Sequence, residues 1–163
     1  YLVQGMIYGW RFSYTPGDKA RGVKEYFELE PVHSPEVIKD QITYEYPWIS
    51  EDNNRLNCWV RAKRTPSQEN IARQWEAIHN PCIHGRGEGD LEKGFEGFKE
   101  GIDRAVIDAI RDYYRNEIKN KPKEITGTVL IRRTPVIGIV NGKYTINLDF
   151  FLEKGKIIPY TVF

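Results

Sequence analysis

Apolar and polar positions alternate along the start of the chain. Leu2, Gln4, Met6, Tyr8, Trp10, Phe12 and Tyr14 fall on one face of a period-two pattern and Val3, Gly5, Ile7, Gly9, Arg11 and Ser13 on the other, which predicts one long strand over 2–14. Thr15-Pro16-Gly17-Asp18 supplies the turn that stops it. A second extended run is expected over 23–32, with a helical turn over 18–26 as its competitor. Ile42, Tyr44, Tyr46 and Trp48, then Leu56, Cys58, Val60 and Ala62 after Glu51-Asp52-Asn53-Asn54, predict a β-hairpin. Pro47 places the end of its first strand at an edge or a bulge. Thr65-Pro66-Ser67-Gln68 is a capping box with proline at the first helical position. The helix it starts should bury Ile71, Trp75 and Ile78 and end at Asn80-Pro81.

The next periodicity is helical and long. From Asp90 to about Asn120, Leu91, Phe95, Phe98, Ile102, Ala105, Val106, Ala109 and Tyr113 share one face at 3.6 residues per turn. Gly94, Gly97 and Gly101 run beside them, each costing about 1 kcal/mol relative to alanine inside a helix, so the stripe implies close approach of another backbone. Ile107, Ile110, Tyr114 and Ile118 make a second apolar side, to be sandwiched or presented as an interface. After Pro122, strands are expected over 125–131 and 136–140, then from Tyr144 to Leu152, the last two joined by an Asn141-Gly142 type I′ turn. Gly155-Lys156 should turn the chain into a last strand ending near Val162. The result is an α+β fold in which antiparallel sheet from both chain ends packs on one long and one shorter central helix. It reads as a single domain over 1–163, with 1–80 and 81–163 as conceivable lobes.

Composition narrows the function classes. Of the 163 residues, 40% are apolar and 13% aromatic, which excludes disorder. Lys plus Arg number 24 against 23 Asp plus Glu, so no global field draws the chain to nucleic acid or anionic membrane. The basic groups Arg61, Lys63, Arg64 and Lys119, Lys121, Lys123 read as solvated strand and helix ends. A nucleic-acid surface of Arg61, Lys63 and Arg64 with Trp59 is the lesser alternative, and no nucleic-acid partner is expected. The uncharged run Leu2–Trp10 is under half of the roughly 20 residues a membrane span needs. A first residue Tyr1 rather than Met points to a trimmed or processed chain, with room for a lipid anchor upstream.

Candidate chemistry centres on His79-Asn80-Pro81-Cys82-Ile83-His84-Gly85-Arg86-Gly87-Glu88-Gly89-Asp90. His79, Cys82 and His84, with Cys58 from the hairpin, are the residue types zinc accepts, but the paired-ligand knuckle is absent. A nucleotide loop is disfavoured because Asp90 stands at the helix N-terminus, where its carboxylate repels phosphate. A thiol nucleophile needs a cysteine beside a histidine, and Cys82 and His84 are expected on opposite faces of their extended link. Two cysteines do not decide whether Cys58 and Cys82 are bridged. Most of the segment then reads as a link between two helices, with Asp90 as the N-cap of the second.

From Cys82 to Glu153, the order "GRGEGD", "KGFEGFKEGIDRAVIDAIRDYYRN", "EITGTVLI" and "NGKYTINLDFFLE" resembles the N-terminal α+β domain of flagellar assembly protein T and related bacterial secreted lipoproteins. Glycine stands where that family mostly has alanine, and about 80 residues of the first half are unmatched. The resemblance implies a non-catalytic envelope or assembly module, periplasmic or otherwise extracytoplasmic, with cytoplasmic residence as the alternative. No site residue carries over, because the shared motif is one of packing. The expected function is therefore binding or assembly without a cofactor, through a protein partner or self-association. Tyr8, Trp10, Phe12, Tyr14, Ile107 and Tyr114 are the contact candidates, although sheet core is the competing role for each aromatic of the strip. The alternative is a metal-binding or thiol-dependent protein using His79, Cys82 and His84.

Overall fold

The computed structural model describes residues 1–51, 55–119 and 122–160. Asp52, Asn53, Asn54, Asn120, Lys121 and Val162, named above, lie outside the described residues. Helix α1 (Leu2–Ile7) leads into β1 (Trp10–Thr15) and β2 (Tyr26–Pro31). A 3-10 turn (Pro35–Gln41) precedes β3 (Ile42–Ile49), β4 (Leu56–Ala62) and α2 (Pro66–Ala77). Strand β5 (Cys82–Asp90), a 3-10 turn (Leu91–Lys93), α3 (Phe95–Tyr113) and α4 (Arg115–Lys119) follow, and β6 (Glu124–Ile131), β7 (Val136–Val140) and β8 (Lys143–Ile158) complete the chain. The α+β class is as expected. Six strands form one antiparallel sheet in the order β2-β1-β6-β8-β5, with β7 also on β8, while β3 and β4 make a separate two-stranded sheet.

Four expected elements differ. The long helix runs Phe95–Tyr113 and not from Asp90, because Asp90 caps the 3-10 turn before it by accepting from the Glu92 N–H. Residues 2–7 are helical in spite of their alternation, and the chain turns at Gly9, whose φ of +79° suits glycine. Buried Gln4 fixes that turn by donating from Nε2 to the Gly9 carbonyl, 2.9 Å. The segment 82–90 is a strand, paired with β8 from Cys82↔Phe151 to Asp90↔Lys143. Strand β8 does not turn at Gly155-Lys156 but runs unbroken to Ile158, with a register shift opposite Ile125 and Gly127 of β6. The capping box at Thr65 and Gln68 is present, and Asn141 and Gly142 both have positive φ, as their turn requires. Helix α2 stops at Ala77, before Asn80, and leaves Ile78 exposed. The expected buried face of that helix is therefore only partly covered, and Gln68 is its buried residue.

The core forms where one helix meets the sheet. Trp10, Phe12 and Tyr14 of β1 join Ile125, Val129 and Ile131 of β6, Ile146, Leu148, Phe150 and Leu152 of β8, and Ile83 of β5. Against them pack Ile102, Ala105, Val106, Ala109 and Ile110 of α3, followed by Tyr114. The glycine stripe has its explanation here, because Gly85, Gly87 and Gly89 point at the helix. Two residues of strand advance about 6.6 Å and four of helix about 6.0 Å. Alternate glycines of β5 therefore stay in step with every fourth residue of α3 running the other way: Gly85 meets Ala105, Gly87 meets Gly101 and Gly89 meets Gly97. Helix carbonyl oxygens sit where strand Cβ atoms would stand, an arrangement that permits Cα–H···O contacts. Gly94 is not part of the stripe. It caps α3 with φ +58° and has open space beside it.

Side chains of α3 also tie down neighbouring elements. Asp108 accepts from the Arg86 backbone N–H at 3.0 Å, and Arg104 donates to the Glu88 carbonyl at 2.9 Å, so the outer edge of β5 is capped. Arg111 pairs with Glu25, and the Tyr14 hydroxyl donates to the same carboxylate at 2.6 Å. The Arg111 guanidinium holds the Glu25 carboxyl below the usual carboxylate range.

Candidate binding surface

The β3–β4 hairpin lies outside the main sheet, and a two-stranded ribbon is marginal by itself in water. Its pairing runs from Ile42↔Ala62 to Ile49↔Leu56, and the register shifts between Glu45 and Trp48 as Pro47 predicts. At that bulge Tyr46 takes φ +50°, a strained value for a bulky residue. The alternation that marks these strands should bury one face. Among the described residues no layer covers it, with Tyr44 72% exposed, Leu56 74% and Ile49 64%, while Trp59, 58% exposed, stands with Trp48 on the opposite face. The Trp48 and Trp59 rings lie side by side, 6.2 Å between centroids. Arg61 pairs with Glu45 at 3.0 Å. An aromatic surface of this kind, rimmed by charge, has the composition of a protein interface.

One flank of the hairpin walls a groove of about 680 Å³. Ile42, Tyr44, Trp59, Val60 and Arg61 form that wall, and Tyr1, Leu2, Val3 and Met6 of the N-terminal segment lie across from it. Phe95 and Phe98 of α3 and Thr134, Pro135 and Ile137 at the start of β7 complete the lining. Arg64 donates to the Met6 carbonyl at 3.0 Å, and Lys99 lies 5.9 Å from the Tyr1 ring centroid. Asp103 acts on Tyr1 from the same end, and burial raises its own carboxyl to about 6.

The contact residues expected from sequence are mostly interior. Trp10, Phe12, Tyr14 and Tyr114 are buried, and Ile107 is half-buried, because α3 covers the strip and turns Ile110 and Tyr114 of its second apolar side into the same core. Tyr8 is partly buried, accepting from Gln68 Nε2 at 2.9 Å and packing edge-on against His33. The hairpin and the groove replace these residues as the candidate surface. The hairpin was legible as a hairpin; its exposure was not, since alternation reports a face and not what lies against it.

The metal alternative loses its ligand set. Among the described residues no group of three or more His, Cys, Asp or Glu side chains is placed to hold a metal ion. His79 is exposed beyond the end of α2, and Cys58 is exposed on β4 in the separate hairpin. Cys82 and His84 are on β5, so the four are divided between two strands and the link after α2. Both cysteines are free. Cys82 and His84 share the outward face of β5, because strand alternation has period two; the expectation of opposite faces is corrected on that ground. His84 Nδ1 is engaged with Asp149 Oδ1 at 2.8 Å, and Arg133 stands 3.8 Å from the other carboxylate oxygen.

Fold and surface thus define an α+β protein with a helix-backed antiparallel sheet and an uncovered aromatic hairpin. A family model whose description names no activity matches residues 1–160, and the chain belongs to that family. A relative from Treponema pallidum (strain Nichols), described as "Uncharacterized protein", is 30% identical over 168 residues, covering 100% of this chain and 68% of its own length. No solved structure matches the chain. No helix among the described residues is long and apolar enough to cross a membrane.

Proposed function

We propose that this chain is a non-catalytic binding or assembly domain of the bacterial cell envelope, and that it engages a protein partner through the β3–β4 hairpin. The observation that carries this reading is the uncovered apolar surface of the hairpin, where Tyr44, Tyr46, Trp48, Ile49, Leu56 and Trp59 face solvent. Exposed aromatics clustered on one ribbon cost solubility with no gain to the core, and covering them on association recovers about 25 cal/mol for each Å² of apolar area. The envelope assignment rests on the resemblance of residues 82–153 to secreted assembly domains, and the relative from Treponema pallidum supports a bacterial setting alone. The metal reading has no comparable support, since its ligands do not converge, and for the thiol reading His84, which shares the face of Cys82, is engaged through Nδ1 with Asp149.

Trp48→Ser with Leu56→Ser is the test. These side chains are exposed, so the unfolding free energy should stay within about 0.5 kcal/mol of the parent. The complex recovered from cells under mild detergent should fall to the size of the free chain on gel filtration. A complex that survives both substitutions contradicts the proposal.

A further inference from the structure

Among the described residues the open edges of the main sheet are those of β2, β5, β7 and the end of β8 beyond Leu152, and the last carries Glu153, Lys154 and Lys156. Arg104 and Asp108 cap the edge of β5, and β2 carries Glu28, Glu30 and Pro31, which are devices that discourage strand addition. Strand β7, Val136-Ile137-Gly138-Ile139-Val140, has neither charge nor proline, pairs among the described residues with β8 alone, and leaves Val136, Ile137 and Val140 exposed. This unguarded edge borders the apolar groove, which Ile137 helps to line.

We infer that the groove takes an extended apolar peptide carrying an acidic residue, added as a further strand on β7. The inference rests on the protein-binding reading above and names the partner's chemistry. Backbone groups of the peptide would satisfy those of the β7 edge, and every second side chain would enter the groove. A volume of about 680 Å³ holds a few such side chains. Charge selects the acidic residue: Arg61, Arg64 and Lys99 reach the groove lining, opposed by Glu45 on Arg61 and by Asp103 near Lys99 and Tyr1. The rim is left with a cationic excess.

The test screens the whole chain against a phage-displayed library of random nine-residue peptides. Enrichment of alternating apolar sequences with Asp or Glu is expected. A synthesised winner should slow amide exchange over 136–140 in the unmodified protein, and Ile137→Lys, which puts a charge on an exposed edge position, should weaken it at least tenfold. Winners that leave amide exchange in β7 unchanged and depend on Trp48 overturn the strand addition but leave the hairpin reading standing. A library that yields no winner, or a groove that binds palmitate and no peptide, overturns the inference, while the hairpin substitutions still report independently on the wider proposal.

Discussion

Gly87→Ala is expected to destabilise the protein by about 3 kcal/mol or more, enough to lower its thermal midpoint by roughly 10 °C. A Cβ at position 87 would stand closer than 3.0 Å to both the Gly101 carbonyl oxygen and the Ala105 nitrogen. Both atoms belong to helix backbone, which cannot rotate away as a flexible side chain can. Relief would require α3 to lift from β5, separating Ile102, Ala105, Val106 and Ala109 from the sheet. Gly85→Ala and Gly89→Ala should behave alike, since each meets a helix carbonyl in the same way. Gly22→Ala is the control: its φ is +68° but nothing lies within 4 Å, so it should cost only about 1–2 kcal/mol. Calorimetric unfolding of the four variants checks the contrast, and equal losses at 87 and 22 would remove the close-packing account of the stripe.

Trp10→Ala should cost about 3–5 kcal/mol, the range for emptying a buried aromatic site. Trp10 is 0% exposed, stacks on Tyr1 at 5.3 Å and meets Phe150 edge-on at 6.5 Å between centroids. Its ring also fills the space a side chain at Gly5 would need, so the loss reaches α1 as well as the sheet. The indole N–H is buried without a hydrogen-bond partner among the described residues, which makes the polar atom a cost and not a gain. Trp10→Phe should therefore lose less than half of what Trp10→Ala loses. Denaturant unfolding gives both values.

Much of the frame could be read in the sequence because local chemistry dictated it. Thr65 and Gln68 reciprocate at a helix start wherever they occur at that spacing, and Asn141-Gly142 takes the positive φ values that a two-residue turn demands. The glycines of α3 announced a close backbone neighbour, and β5 is that neighbour. Its own glycines read as a link between helices, because alternate Gly residues lack the apolar side chains that mark a strand. Residues 2–7 were misread for the opposite reason: their alternation is real, but six residues with buried Gln4 close on Gly9 as a helical turn, a tertiary preference that overrides a short pattern. The surface was the least legible part. Ile42 and Tyr44 alternate in the same manner as Trp10 and Phe12, and only the placement of α3 decides that one set is covered while Tyr44 is left in water.

The proposed role depends on that difference. A photo-crosslinking amino acid placed at Trp48, with the same group at Glu76 of α2 as control, reports directly on what covers the hairpin in living cells. The proposal predicts a discrete crosslinked protein species from position 48 and none from position 76. A chain that crosslinks equally from both positions, or from neither, would contradict it.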